Sequence, residues 1–223
     1  MTTTPVLTID GPSGAGKGTV SRQIAKQLGW NYLDSGSIYR ALAIAALDQN
    51  INLGAEADIV KVAEQMKLEF SCDEELLVGL NGIDITPRLA SEQTGAVASR
   101  IAALPSVRGV LLQKQRDFQM PPGLVADGRD MGTVVFPQAQ FKVYLTADAR
   151  TRAKRRYKQL IEKGIGANLM QITLDIEERD RRDEQREIAP LAMAENALYI
   201  DSSNMIIPDV IEQVLNHMRN ASV

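Results

Sequence analysis

The sequence predicts an α/β fold in which short buried strands alternate with helices, and three stretches predict it. Residues 6–9 (Val-Leu-Thr-Ile) form an apolar, β-branched run followed by a glycine-rich turn and then a periodic helix. Residues 124–127 (Leu-Val-Ala-Asp) read as a second buried strand, ending in an acid, and residues 141–145 as a third. A chain of 223 residues fits one compact domain carrying small inserted lobes.

The first strand leads into Gly11-Pro12-Ser13-Gly14-Ala15-Gly16-Lys17-Gly18-Thr19, and Val20, Ile24 and Leu28 then mark the apolar stripe of a helix beginning near Thr19. Strand, Gly-x-x-x-x-Gly-Lys and helix together make a phosphate-binding loop. Glycines let backbone N–H groups turn inward around a polyphosphate without Cβ clashes, and the helix N-terminus adds partial positive charge. Lys17 supplies a mobile point charge for the β- and γ-phosphates. The position after the lysine, usually Ser or Thr, is Gly18, so the usual hydroxyl ligand for Mg²⁺ is displaced to Thr19, which meets the metal directly or through water.

Residues 31–33 come next, and Asp34-Ser35-Gly36-Ser37 turns the chain and caps a helix beginning near Ile38. Ser35, Tyr39 and Arg40 then gather at one helix N-terminus, either as a second anion site or as a capped helix with a surface arginine. Residues 56–67 are helical in pattern. The short runs 68–72, 76–80 and 83–85, with Asn81-Gly82 as a type I′ turn, form a small antiparallel insertion within the β/α alternation, not a new domain. An alanine-rich helix over 93–104 ends at Pro105, and another covers 107–119; Ser99 and Arg108 on them read alone as solvent-facing polar residues.

Asp127 ends the second strand where a metal-binding carboxylate of this kind of site stands. The following Gly128-Arg129-Asp130-Met131-Gly132-Thr133 is a glycine-flanked turn with acids and an arginine, at the strand edge where open α/β sheets bind ligands. Six cations then fall within 150–158, including Arg152 and Arg156; Gly164-Ile165-Gly166 breaks the helix, and a second helix carries Arg179, Asp180, Asp183 and Arg186. Alone, this pair is a solvated hairpin laced with i,i+4 ion pairs. Beside a phosphate-binding loop it reads as a hinged arginine flap, because the guanidinium fork grips two phosphate oxygens and stays charged. Residues 197–200 form a last strand, and 208–218 an amphipathic helix.

Composition narrows the chemistry. Net charge is −3, which points to neither nucleic acid nor a membrane surface. The single cysteine, Cys72, excludes an intramolecular disulfide and a cysteine metal cluster, and reads as a small apolar strand residue. His217, the sole histidine, lies in the last helix and leaves no histidine acid–base or zinc chemistry. The start, Met-Thr-Thr-Thr-Pro, lacks a basic and an apolar run, so a cytoplasmic location is expected. Neither Asp-x-x-Gly nor Asn-Lys-x-Asp occurs, which rejects a GTPase switch. A triphosphate site, a second anion site, an acid–arginine turn and an arginine flap suit phosphoryl transfer between two bound molecules, by positioning and charge neutralisation.

Gly-Pro-Ser-Gly-Ala-Gly-Lys-Gly-Thr at 11–19, Asp-Ser-Gly-Ser-Ile-Tyr-Arg at 34–40, Ala-Asp-Gly-Arg-Asp-Met-Gly-Thr-Val-Val-Phe-Pro at 126–137 and Arg-Asp-x-x-Asp-x-x-Arg at 179–186 resemble the bacterial cytidylate kinases, in order from about residue 5 to 220. The last two motifs are the more specific. They argue against another small-molecule kinase, such as one for shikimate. The resemblance implies a P-loop NTPase three-layer fold with a five-stranded parallel sheet: core at 5–34, 89–148 and 197–220, a monophosphate-binding lobe at about 35–88 with an antiparallel insert at about 68–88, and a lid at about 150–186. It implies transfer of the γ-phosphoryl of ATP to CMP or dCMP with Mg²⁺, by a monomer with no nucleic-acid or membrane partner. Residues 11–19 would bind ATP. Ser35, Arg40, Arg129 and Arg186 would hold the CMP phosphate region, with Tyr39 and Gly128 also at the CMP site; Ser99, Arg108 and Asp130 would read the cytosine edge; Arg179 and Asp183 would bind the ribose. Lys17, Arg129, Arg152, Arg156 and Arg186 would stabilise the moving phosphoryl group, with Thr19 toward the metal and Asp127 toward the metal or orienting arginines.

Overall fold

The computed structural model describes residues 4–72, 76–162 and 164–221. Five strands, β1 (Val6–Asp10), β2 (Asn31–Asp34), β6 (Leu124–Gly128), β7 (Phe141–Thr146) and β8 (Leu198–Asp201), form one parallel sheet in the order β2-β6-β1-β7-β8. The five-stranded parallel sheet expected from the motifs is therefore present. A second sheet joins β3 (Leu68–Cys72), β4 (Leu76–Leu80) and β5 (Ile83–Asp84) antiparallel, and Asn81 and Gly82 both take positive φ between β4 and β5, as a type I′ turn requires. Cys72 ends β3, and its side chain lies outside the described residues.

Parallel strands covered on both faces are buried along their length, and all five residues of β1 and of β6 are buried, apolar apart from Thr8 and the acids Asp10 and Asp127 near their C-terminal ends. On one face Leu7, Ile9, Val125 and Val143 pack against Val20 and Ile24 of α1 (Lys17–Leu28) and Val210 and Val214 of α9 (Ile207–Ala221). On the other, Val6, Leu33, Leu124 and Ala126 meet α2 (Ser35–Asp48), α3 (Glu56–Gln65), α5 (Glu92–Ile101) and α6 (Pro105–Arg116). Helix α2 is apolar around most of its circumference because α3, α5 and the short α4 (Thr86–Leu89) enclose it; each fully buried Leu or Ile there contributes about 1.5–3 kcal/mol. The antiparallel insert joins this second core through Val78 and Leu80. Among the described residues no single helix is long and apolar enough to cross a membrane.

Several boundaries differ from the sequence reading. Helix α1 starts at Lys17, not Thr19, after Gly16 at φ 97°. Helix α2 starts at Ser35 because Asp34 is itself the cap: its carboxylate accepts from Ser37 N at 3.2 Å and Ser37 Oγ at 2.6 Å. Ser91 caps α5, which ends at Ile101, and Pro105 opens α6 rather than only closing the helix before it. After β6 the chain makes a π-helical turn, Met131–Val135, where a simple turn was expected. The hairpin of α7 (Ala149–Glu162) and α8 (Leu169–Glu184) ends two residues before Arg186, so that arginine projects from the chain beyond the helix.

The chain crosses β1 between β6 and β7, which places β1 at the point where connections diverge to opposite sides of the sheet. The loop after such a strand opens into a crevice. Asp10, Asp34 and Asp127 all stand at the same C-terminal sheet edge, since Asp127 is in register with both Ile9 and Asp34.

Candidate active site

The glycine-rich loop after β1 is shaped by contacts no other residue tolerates. At Gly11, φ is +150°, and a Cβ would lie 1.9 Å from the Leu145 carbonyl oxygen. Lys17, the first residue of α1, is buried and donates from Nζ to the Pro12 carbonyl at 2.9 Å. Burial, with Arg129 adding to it, lowers Lys17 to about 7. Burial likewise raises Asp127 to about 7, Asp34 adding to it, and raises Asp10 to about 6 against the two backbone N–H groups it accepts. These are a cation and two acids held in a dry edge, an environment in which electrostatic contacts are strong.

The α7–α8 hairpin is tied to this loop. Arg152 is buried and donates to Ala147 O at 2.8 Å, Ser13 O at 3.1 Å and Asp180 Oδ2 at 2.6 Å. Arg155 reaches the Ala15 and Ser202 carbonyls at 3.3 and 2.6 Å. Arg156 points the other way and pairs with Glu92 of α5.

Beside the loop is a narrow cleft of about 60 Å³. All eleven residues expected around CMP line it. Ser35, Tyr39 and Arg40 come from α2, Ser99 from α5 and Arg108 from α6. Gly128, Arg129 and Asp130 come from the end of β6, and Arg179, Asp183 and Arg186 from α8 and beyond. Arg108 and Asp130 form a buried ion pair, and Arg108 also lies 5.8 Å over the Tyr39 ring. Arg129 donates from Nε to Asp183 Oδ2 at 2.8 Å. Burial raises the Asp183 carboxyl, but the guanidiniums of Arg129, Arg179 and Arg186 outweigh it and hold it below its ordinary value. Burial lowers Arg179 to about 10, Arg129 adding to it. Among the described residues, Arg179 Nε and Arg186 Nη2 are buried with no hydrogen-bond partner. Unpaired buried donors on cations are costly, and an anion entering the cleft would relieve them.

Other expected residues are engaged differently. The Ser35 hydroxyl donates to Gln115 Oε1 at 2.7 Å, and Arg40 Nη1 to the Leu89 carbonyl at 2.5 Å. Ser99 accepts only a long contact, 3.5 Å, from Arg182. Thr19 is half-buried on the first turn of α1, and Asp127 accepts from the Tyr32 hydroxyl at 2.6 Å. His217 is half-buried on α9, at the face of the fold opposite α2.

Sequence reasoning missed four supports. Asp10 accepts from the backbone N–H groups of Met131 and Gly132 at 2.8 and 2.7 Å and so shapes the turn carrying Arg129 and Asp130; its signal was an acid directly after a buried strand, the same pattern as Asp127. Asp180 lay inside a recognised motif. Gln115 had no local signal, and Arg155 lay within the cation run at 150–158 without a role of its own. A larger cavity of about 520 Å³ lies between α1, Trp30, Tyr32 and Phe70, and no acid lines it among the described residues.

The chain matches the cytidylate kinase family over residues 7–220. It is 55% identical to a cytidylate kinase of Methylococcus capsulatus over 214 residues, 96% of each chain. It is 51% identical to one of Aeromonas salmonicida over 95% of this chain and 92% of the relative. It is also 51% identical to one of Nitrosococcus oceani over 95% of this chain and 94% of the relative. With the phosphate-binding loop, the parallel sheet and the arginine-lined cleft in place, these matches make the chain a member of the cytidylate kinase family.

Proposed function

We propose that this protein transfers the γ-phosphoryl group of ATP to CMP or dCMP, giving ADP and CDP or dCDP. One observation carries the reading: buried arginine donors with no hydrogen-bond partner among the described residues, Arg179 Nε and Arg186 Nη2, line a cleft next to a phosphate-binding loop. In this reading ATP phosphates lie on residues 11–19 with Lys17, and the CMP phosphate is held among Ser35, Tyr39, Arg40, Gly128, Arg129 and Arg186. Arg179 and Asp183 take the ribose. The buried Arg108–Asp130 pair, with Ser99, reads the cytosine edge, because a fixed donor–acceptor pair rejects a base whose polar edge is reversed.

The α7–α8 hairpin acts as the lid. A gap of about 60 Å³ is far below the roughly 300 Å³ of a small-ligand pocket, so the hairpin swings out to admit CMP and back to exclude water. Arg152 and Arg156 then neutralise charge on the moving phosphoryl group, beside Lys17, Arg129 and Arg186.

The donor set fits Mg²⁺. Asp127 and Thr19 offer only oxygen, and Asp127 Oδ1 accepts no hydrogen bond among the described residues. Among the described residues no three acids, histidines or cysteines are placed to hold a metal ion together, so Asp127 and Thr19 would supply one or two oxygens and the nucleotide phosphates others. Bound Mg²⁺ would supply charge neutralisation on the nucleotide phosphates.

The test is ADP release from ATP with Mg²⁺ and, in parallel, CMP, dCMP, UMP, AMP, GMP and dTMP. Fast turnover on CMP and dCMP with UMP far behind supports both the reaction and the base contacts. Turnover on another monophosphate sinks the roles given to Ser99, Arg108 and Asp130, and none on any sinks the reaction.

A further inference from the structure

The residue after the loop lysine ordinarily carries a hydroxyl, and here Gly18 carries none. The space that a side chain at 18 would enter is already addressed from elsewhere. A Cβ built on Gly18 would lie 3.4 Å from Arg22 Nη1, 3.6 Å from Tyr32 Oη and 3.9 Å from Asp127 Oδ2. Tyr32 is a buried residue of β2, the strand next to β6, in register with Val125. From there its ring reaches past one residue of β6, and its hydroxyl donates to Asp127 Oδ2 at 2.6 Å. Asp127 Oδ1 is left free of protein partners among the described residues.

We infer that Tyr32 is a positioning residue for the nucleotide-bound divalent cation: its hydroxyl, delivered across the sheet, fixes the rotamer of Asp127 with Oδ1 available to the metal or its waters, while the loop's own hydroxyl comes from Thr19. Gly18 leaves the room for this arrangement, since a side chain there would meet Oη and the carboxylate. The inference rests on the reading that Asp127 serves Mg²⁺. A carboxylate with one oxygen tied by a short hydrogen bond needs no reorientation when the cation arrives, so the ordering cost of binding falls.

Calorimetric titration of ADP, once with MgCl₂ and once with EDTA, separates this role from a structural one. Tyr32→Phe keeps the buried ring and removes only the hydroxyl. It is expected to weaken ADP binding about tenfold in Mg²⁺ and to leave binding in EDTA within about twofold of wild type. Adding Gly18→Ser to Tyr32→Phe is expected to restore most of the Mg²⁺-dependent affinity, because the serine hydroxyl enters the vacated space beside Asp127. In an Asp127→Asn background, Tyr32→Phe is expected to change nothing further. Equal weakening in Mg²⁺ and EDTA, or no change in either, overturns the inference. Should Tyr32→Phe fail to fold, Gly18→Ser in the wild type decides: a several-fold change confined to Mg²⁺ supports the role, and no such change overturns it. A wild type whose ADP affinity ignores Mg²⁺ overturns the metal reading itself, whereas a Mg²⁺-dependent wild type with an unaffected Tyr32→Phe overturns only the part given to Tyr32.

Discussion

Arg129, in the turn after β6, donates to Asp183 of α8 at 2.8 Å, and this contact joins the sheet edge to the hairpin that covers it. Both side chains are largely buried, at 17% and 10% exposure, so the pair is not a solvated surface bridge. Arg179 and Arg186 stand on either side of Asp183 in sequence, and their positive fields lower its pKa together with that of Arg129.

Removing Asp183 leaves buried positive charge unpaired. Asp183→Ala is therefore expected to lower kcat/KM for CMP by about 10- to 100-fold, the equivalent of one charge-assisted contact. Arg186→Ala is expected to fall in the same range. Far-UV circular dichroism of both variants remains that of the wild type, and wild-type kinetics in both would remove these residues from the substrate site.

Asp130→Asn tests base reading separately from phosphate binding. It leaves Arg108 beside a neutral amide in a buried site, and the preference for CMP over UMP is expected to drop about tenfold or more. The ratio of kcat/KM values for the two monophosphates measures it. An unchanged ratio contradicts the cytosine role.

The Arg156–Glu92 pair spans the hairpin and α5, but Glu92 is 77% exposed. An exposed pair contributes under about 1 kcal/mol, so Glu92→Gln is expected to move the melting temperature little and to leave kcat equal or raised, because Arg156 is released. Arg156→Ala is expected to lower kcat about tenfold or more. A matched loss of kcat in both variants would show that Arg156 matters only as the partner of Glu92.

Asp10 gives a pH dependence with a definite sign. Burial raises its carboxyl from 3.8 to about 6, so in that window the folded state holds more protons than the unfolded one. Its contribution to stability is complete below about 3.8 and is lost as pH rises through about 6. The stability of wild type relative to Asp10→Asn is expected to fall by about 3 kcal/mol across that range. Urea unfolding at pH values from about 4 to about 7 reads this difference, and a flat difference would contradict the raised pKa of Asp10.

Contiguous features were legible in the sequence. The loop at 11–19, the Gly-Arg-Asp turn and the Arg-Asp-x-x-Asp-x-x-Arg run each concentrate their chemistry within a few residues, and the strands before them are unmistakably apolar. What escaped depends on partners distant in the chain. Ser35 meets Gln115 across 80 residues, Tyr32 meets Asp127 across 95, and Gly132 meets Asp10 across 122. The π-helical turn at Met131–Val135 was hidden because Thr-Val-Val is strand-like in propensity, while Asp10 holds its first N–H groups out of any ladder. Arg40 illustrates the remaining limit: its spacing allowed an anion site or a surface arginine, and it lies at the cleft but donates to the Leu89 carbonyl.

The most direct measurement is phosphorus NMR of the protein mixed with ATP, CMP and Mg²⁺. The account predicts that the γ-phosphoryl signal of ATP disappears as the β-phosphorus signals of ADP and CDP grow together, with little inorganic phosphate. Growth of inorganic phosphate in place of CDP, or a spectrum that does not change, would contradict it.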